Sequence, residues 1–130
     1  MMNRPWLSAY PEGVPADIDT SAYASLVELM QDSFKRYGDR PAFNFMGRNM
    51  SYAELDRLSQ VFAAYLQGLG LVVGDRVAIM LPNIPQFAVT MAGVLRAGYT
   101  CVNVNPLYTA RELEHQLKHA VCGAAVEVAG

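Results

Sequence analysis

His115 and His119 stand four residues apart in the segment HQLKH. On one helix that spacing aims two imidazoles at a single metal ion. A zinc protease needs a glutamate after the first histidine, and here that position is Gln116. The apolar residues of the same segment are Leu113, Leu117 and Ala120, and both histidines point away from that stripe. A solvated helix face explains the pair, and no metal site is expected.

The thiols Cys101 and Cys122 match no metal or redox spacing, which suits a reducing compartment. Cys101 lies in an apolar run and reads as a buried, inert thiol. Cys122 is close to His119 in sequence, but thiol catalysis needs a base and an orienting third group, and none is marked. Asp17 and Asp19 form an acidic pair suited to solvation or capping. Two turns remain, LPNIPQ (81–86) and VNVNPLYT (102–109). The first contains neither GxGxxG nor GxxxxGK[ST], so Asn83 reads as a helix cap rather than part of a phosphate cradle. The second closes a strand, where α/β proteins place ligands, but its residues favour a plain crossover turn. No catalytic residue is expected, and no cofactor-binding residue is assigned.

The elements that position these residues follow from spacing. Residues 1–24 contain Pro5, Pro11, Gly13 and Pro15 and read as an extended arm that Trp6, Leu7 and Tyr10 could pin to a surface. Ser25 with Glu28 opens a helix whose stripe is Leu26, Met30, Phe34 and Tyr37. Runs 42–46 and 49–52 around Gly47 form a small hairpin. Ser51 with Glu54 opens a second helix to Leu69, buried through Leu55, Leu58, Phe62 and Leu66, with Val61, Ala64 and Tyr65 widening its apolar face. Beyond it come a strand at 77–81, a helix at 84–97, a strand at 99–104, a helix opened by Thr109 with Glu112, and a strand at 124–128. That order predicts an α/β fold, a partial parallel sheet with βαβαβ right-handed crossovers, over residues 25–130.

Composition bounds the function. The 130 residues carry a net charge of −2, which gives nucleic acid no basic patch. No run is long enough for a membrane span, and the N-terminus has no signal-peptide core. Apolar residues make up 52% and charged residues only 17%, against a norm near ~25% for the latter. The helix 84–97 is apolar nearly all round, and 124–128 leaves an open edge. Exposed apolar faces and self-association are expected.

Four stretches resemble the bacterial long-chain fatty acid–CoA ligases of the adenylate-forming superfamily: WLSAYPEGVPADID with YASLVELMQDSFKRYGDRPAF, SYAELDRLSQVFAAYLQGLGLVVGDRVAIMLPN, FAVTMAGVLRAGYTCVNVNPLYT, and ARELEHQL. The resemblance implies the N-terminal portion of the large adenylate-forming domain. It further implies an enzyme that uses ATP and magnesium to form an acyl-adenylate, releases pyrophosphate, and passes the acyl group to coenzyme A. The phosphate loop and catalytic lysine of that family have no counterpart here, so the chain is expected to be inactive alone and to hold no cofactor. A basic residue that some relatives place after the Asn-Pro turn is Leu107 in this sequence. The resemblance also implies a cytoplasmic protein, at most peripheral at the inner face of the membrane. In VCGAAVEVAG, Glu127 interrupts what should be a wholly apolar strand, so the sequence is expected to leave the family near Val121 through truncation, frameshift or cloning. The alternative is a stand-alone α/β binding or assembly module.

Overall fold

The computed structural model describes residues 3–127. Its elements are α1 (Leu26–Tyr37), the hairpin strands β1 (Pro41–Phe45) and β2 (Arg48–Ser51), α2 (Tyr52–Gln67), β3 (Arg76–Met80), α3 (Pro85–Arg96), β4 (Thr100–Asn103), α4 (Ala110–Ala120) and β5 (Cys122–Glu127). The arm ahead of them contains one 3₁₀ turn, Pro5–Ala9. Trp6 and Tyr10 are exposed, so they do not pin it; Arg4 instead clasps Asp17 at 2.8 Å.

Three helices start where the side chains dictate. Ser25, Ser51 and Thr109 each accept the amide N–H three residues on, satisfying a donor that the helix cannot. At Thr109 the Glu112 carboxylate returns the bond to the cap residue's own N–H, completing a capping box. The remaining helix, α3, differs from the sequence expectation. Pro85 occupies its first turn and drives the preceding residue into extended backbone, so Ile84 (φ −123°, ψ 160°) takes the cap position without a side-chain bond. Asn83 lies outside the helix and is exposed.

The parallel sheet has the order β4-β3-β5, with β1 and β2 pairing separately and antiparallel. Val77 and Ile79 on β3 are fully buried beneath Leu66 of α2 and Val94 and Ala97 of α3. Ala124 and Val126 stand level with Val77 and Ile79 and pack on this same core. Gly123, Ala125 and Glu127 alternate to the opposite, exposed face. Glu127 therefore interrupts no apolar layer in this sheet. The expected extension of the last strand to Val128 falls outside the described residues.

Coverage of α3 also departs from expectation. Phe87, Val89, Met91, Val94 and Leu95 are all buried or half-buried. A Cβ on Gly93 would lie 2.7 Å from Phe62 Cδ1 and 3.1 Å from the Ser59 carbonyl oxygen, which shows how closely α2 crosses that helix. α2 and the sheet therefore cover α3 from opposite sides. The exposed apolar surface lies elsewhere: Val61 and Tyr65, expected to widen the buried face of α2, turn away from α3 and face solvent. Between the three helices, the Arg96 guanidinium donates to the backbone oxygen and carboxylate of Asp56 and to Ser59 Oγ. It also lies 5.5 Å from the centroid of the Phe34 ring.

Candidate functional site

Chain direction selects the place where a ligand would meet this sheet. The β3–α3 and β4–α4 turns leave the carboxyl ends of adjacent strands. β4 and β5 then flank β3 on opposite sides, which makes this end a topological switch point. The β4 turn is internally tied. Asn105 Oδ1 accepts the Leu107 N–H, the Tyr108 N–H bonds the Asn105 carbonyl, and the Val104 N–H bonds the carbonyl of Ile79 on the neighbouring strand. Pro106 and Leu107 stand exposed at its tip.

Beside this turn, Tyr108, Arg111, Glu112, His115, Gln116 and His119 line an open depression of ≈ 520 Å³. The two imidazoles stack with their centroids 6.3 Å apart, so the helix brings them together as its period requires. Among the described residues no group of three His, Cys, Asp or Glu side chains converges there or elsewhere. Gln116 does not stand in for a catalytic carboxylate: its Nε2 donates to the Asn103 carbonyl and tethers α4 to β4. Its Oε1 is buried with no hydrogen-bond partner. The sequence marks Gln116 only as a missing glutamate, because its tether depends on β4 lying under the helix.

A second cavity, ≈ 420 Å³, opens between the hairpin and the α2–α3 pair. Phe45, Met50, Leu58 and Val89 supply its apolar wall, with Arg48, Glu54 and Gln86 among its polar groups. These residues come from four elements, and no local spacing announces them.

The thiols are not arranged for nucleophilic work. Burial pushes Cys101 up to about 11, and its Sγ rests 3.7 Å from the Met91 carbonyl oxygen. Burial also raises Cys122, with Arg76 opposing weakly. A reactive cysteine requires the opposite shift. Asp19 accepts from the N–H and hydroxyl of Ser21, which holds its carboxyl below the ordinary range. Both arm aspartates are therefore committed locally. The switch-point end offers hydrogen-bond donors, one guanidinium and two imidazoles, but no base–nucleophile pair.

The sequence model of the AMP-binding enzyme family matches residues 30–129. A long-chain-fatty-acid–CoA ligase of Yersinia pestis is 53% identical over 128 residues, which is 98% of this chain and 23% of that protein. The corresponding ligase of Bacillus subtilis is 41% identical over 90% of the chain. Among solved structures, the N-terminal subdomain of Klebsiella oxytoca NpsA in complex with 3-hydroxyanthranilyl-AMSN superposes with a TM-score of 0.74 at 28% identity. The match covers 78% of this chain and 26% of that one. VinN gives the same TM-score at 29% identity, again over 78% of the chain. This chain spans about a quarter of the length of the proteins it matches, and it belongs to the AMP-binding enzyme family.

Proposed function

We propose that this chain is the N-terminal portion of a long-chain fatty acid–CoA ligase and serves as scaffold for chemistry completed by further sequence. The supporting observation is 53% identity to a ligase of that name across 98% of the chain. The complete enzyme would join a fatty acid to AMP from ATP, release pyrophosphate, and transfer the acyl group to the thiol of coenzyme A. The charge that develops at the reacting phosphorus needs fixed donors and cations, usually the largest catalytic term. Neither a glycine-rich phosphate turn nor a converging set of carboxylates exists among the described residues, so the donor set here does not fit magnesium-nucleotide. No step is assigned to this chain's own side chains.

A chimera tests the proposal directly. This sequence replaces the aligned segment of the Yersinia pestis ligase, and acyl-CoA formation from palmitate is measured. Activity within about tenfold of the parent is expected, since a tenfold change corresponds to only ~1.4 kcal/mol in the barrier. A folded chimera that forms no acyl-CoA would overturn it. The purified 130-residue chain alone should support no fatty-acid-dependent exchange of pyrophosphate into ATP.

A second reading, a self-associating module, is favoured by the two outer strands β4 and β5, whose free edges can pair with another copy. Sedimentation across a wide concentration range distinguishes it, because a persistent 14.3 kDa monomer excludes pairing through those edges. We further place the complete enzyme in the cytoplasm, where its contact with the inner face of the membrane would be peripheral.

A further inference from the structure

The cavity between the hairpin and the α2–α3 pair brings apolar and charged groups together from separate elements. Met46 and Gly47 take φ of 50° and 80°, a two-residue turn whose twist suits paired strands. The turn sets Phe45 opposite Arg48 and Phe43 opposite Met50. Opposed residues share one face of a hairpin, and Phe45, Arg48 and Met50 all line the cavity. Glu54 and Leu58, one turn apart on α2, close a second side, and Val89 and Thr90 of α3 close a third. The volume of ≈ 420 Å³ falls within the range of about 300–1,000 Å³ typical of small-molecule sites.

The polar groups of this cavity are not used by the fold. Ion pairs among the described residues engage Arg4, Arg36, Arg96 and Lys118, and neither Arg48 nor Glu54 takes part. Glu28 and Glu112, which hold the same position in α1 and α4 as Glu54 holds in α2, accept the backbone N–H groups of Ala24 and Thr109. The Glu54 N–H bonds Ser51 Oγ, but its carboxylate returns no bond and lines the cavity half-buried. Thr90 is only 6% exposed, and its hydroxyl has no hydrogen-bond partner among the described residues. A buried hydroxyl without a partner is costly unless a bound group supplies one.

We propose that this cavity binds a small zwitterion with an apolar side chain, of the α-amino acid type. The ligand carboxylate pairs with Arg48, its ammonium with Glu54, and its side chain lies among Phe45, Met50, Leu58 and Val89. Two unpaired groups of opposite sign at one cavity define the class. A ligand with a single charge meets one partner and one like charge, whereas a zwitterion answers both. The inference does not depend on the ligase reading and adds a ligand to a region that reading treats as scaffold.

Calorimetric titration of the full chain with L-phenylalanine tests the proposal. A Kd of about 1 mM or tighter is expected for a ligand of this size. Hydrocinnamate, which keeps only the carboxylate, and phenethylamine, which keeps only the ammonium, should each bind roughly tenfold more weakly or worse. Arg48→Met should weaken phenylalanine about tenfold and leave phenethylamine unchanged, while Glu54→Gln should do the same for phenylalanine and spare hydrocinnamate. Should either variant lose its circular dichroism, the three ligands on the parent chain supply the same comparison. No saturable binding of phenylalanine by about 10 mM, hydrocinnamate or phenethylamine binding as tightly as phenylalanine, or phenylalanine indifferent to both substitutions would each refute the site. Binding to the chain that disappears in the chimeric ligase would assign the cavity to packing against the rest of the enzyme and overturn the proposal. None of these outcomes bears on the ligase reading, which is tested by acyl-CoA formation.

Discussion

Val121 closes α4 with φ 50° and ψ 55°, the left-handed conformation that glycine adopts freely and a β-branched residue resists. Holding an L-residue there costs on the order of 1–2 kcal/mol, and valine belongs at the upper end because both γ-methyls crowd the backbone. Val121→Gly removes that strain. Against it stand ~0.7 kcal/mol of extra backbone entropy in the unfolded chain and ~0.5 kcal/mol for the small part of the side chain that is covered, given 72% exposure. The balance is a gain of about 1 kcal/mol. For a domain of this size that corresponds to a rise in Tm of roughly 3–5 °C by circular dichroism or calorimetry. Val121→Asn, which tolerates the same conformation with less unfolded entropy, should gain a similar amount, and Val121→Ala less than either. A fall in Tm for both the glycine and asparagine variants would show that Val121 contributes packing that outweighs its backbone, and the strain reasoning would be wrong.

Gly93→Ala should destabilise by about 1–2 kcal/mol in urea unfolding: the clash with Phe62 and the Ser59 carbonyl costs ~1–3 kcal/mol, and alanine's helix propensity returns up to ~1. Arg96→Met should cost about 2 kcal/mol, because Ser59 and Asp56 lose a charged donor in a half-buried setting, and Arg96→Lys should recover less than half, lacking the planar fork. Hydrogen bonds from Thr109 hold the Glu112 carboxyl below its ordinary value of 4.5, so its contribution to stability is full above that value and fades as pH falls through and below it. Glu112→Gln should therefore flatten the decline in Tm between about pH 6 and pH 3, and a variant with the parent's full acid slope would remove Glu112 from the account.

Local chemistry was legible wherever one residue sets one bond. Ser25, Ser51 and Thr109 could be read as caps because the serine or threonine precedes its acidic partner at the required spacing, and each cap forms. Asn83 shows the competing rule: a proline at the first helical position fixes the residue before it, so Ile84 is the cap whatever its side chain. The last strand starts at Cys122, two residues earlier than its apolar pattern suggests, because the left-handed Val121 turns the chain within a single residue. Burial of α3 departs from its sequence pattern for a different reason. Gly93 reads as a weak point in a helix, yet it is the gap that lets α2 approach, and only the pairing of the two helices reveals it.

The two ends of a parallel sheet are chemically unequal, and this explains why the candidate site was only partly readable. Turns that follow strands lead into helix N-termini, so they collect Asn105, Pro106 and Thr109, residues whose side chains speak for themselves. Loops that precede strands need only reverse the chain, and here they carry Val72, Val73 and Val121. In sequence those valines fall between the expected helices and the strands at 77–81 and 124–128, and nothing in their spacing marks them as exposed. Their exposure becomes visible only when Gly74 bonds Gly98 and Cys122 pairs beside Arg76, which lines up the starts of all three strands at one surface. The polar end and the apolar end therefore follow from strand direction itself. One presents hydrogen-bond donors around two imidazoles, and the other presents aliphatic side chains beside the exposed Arg76.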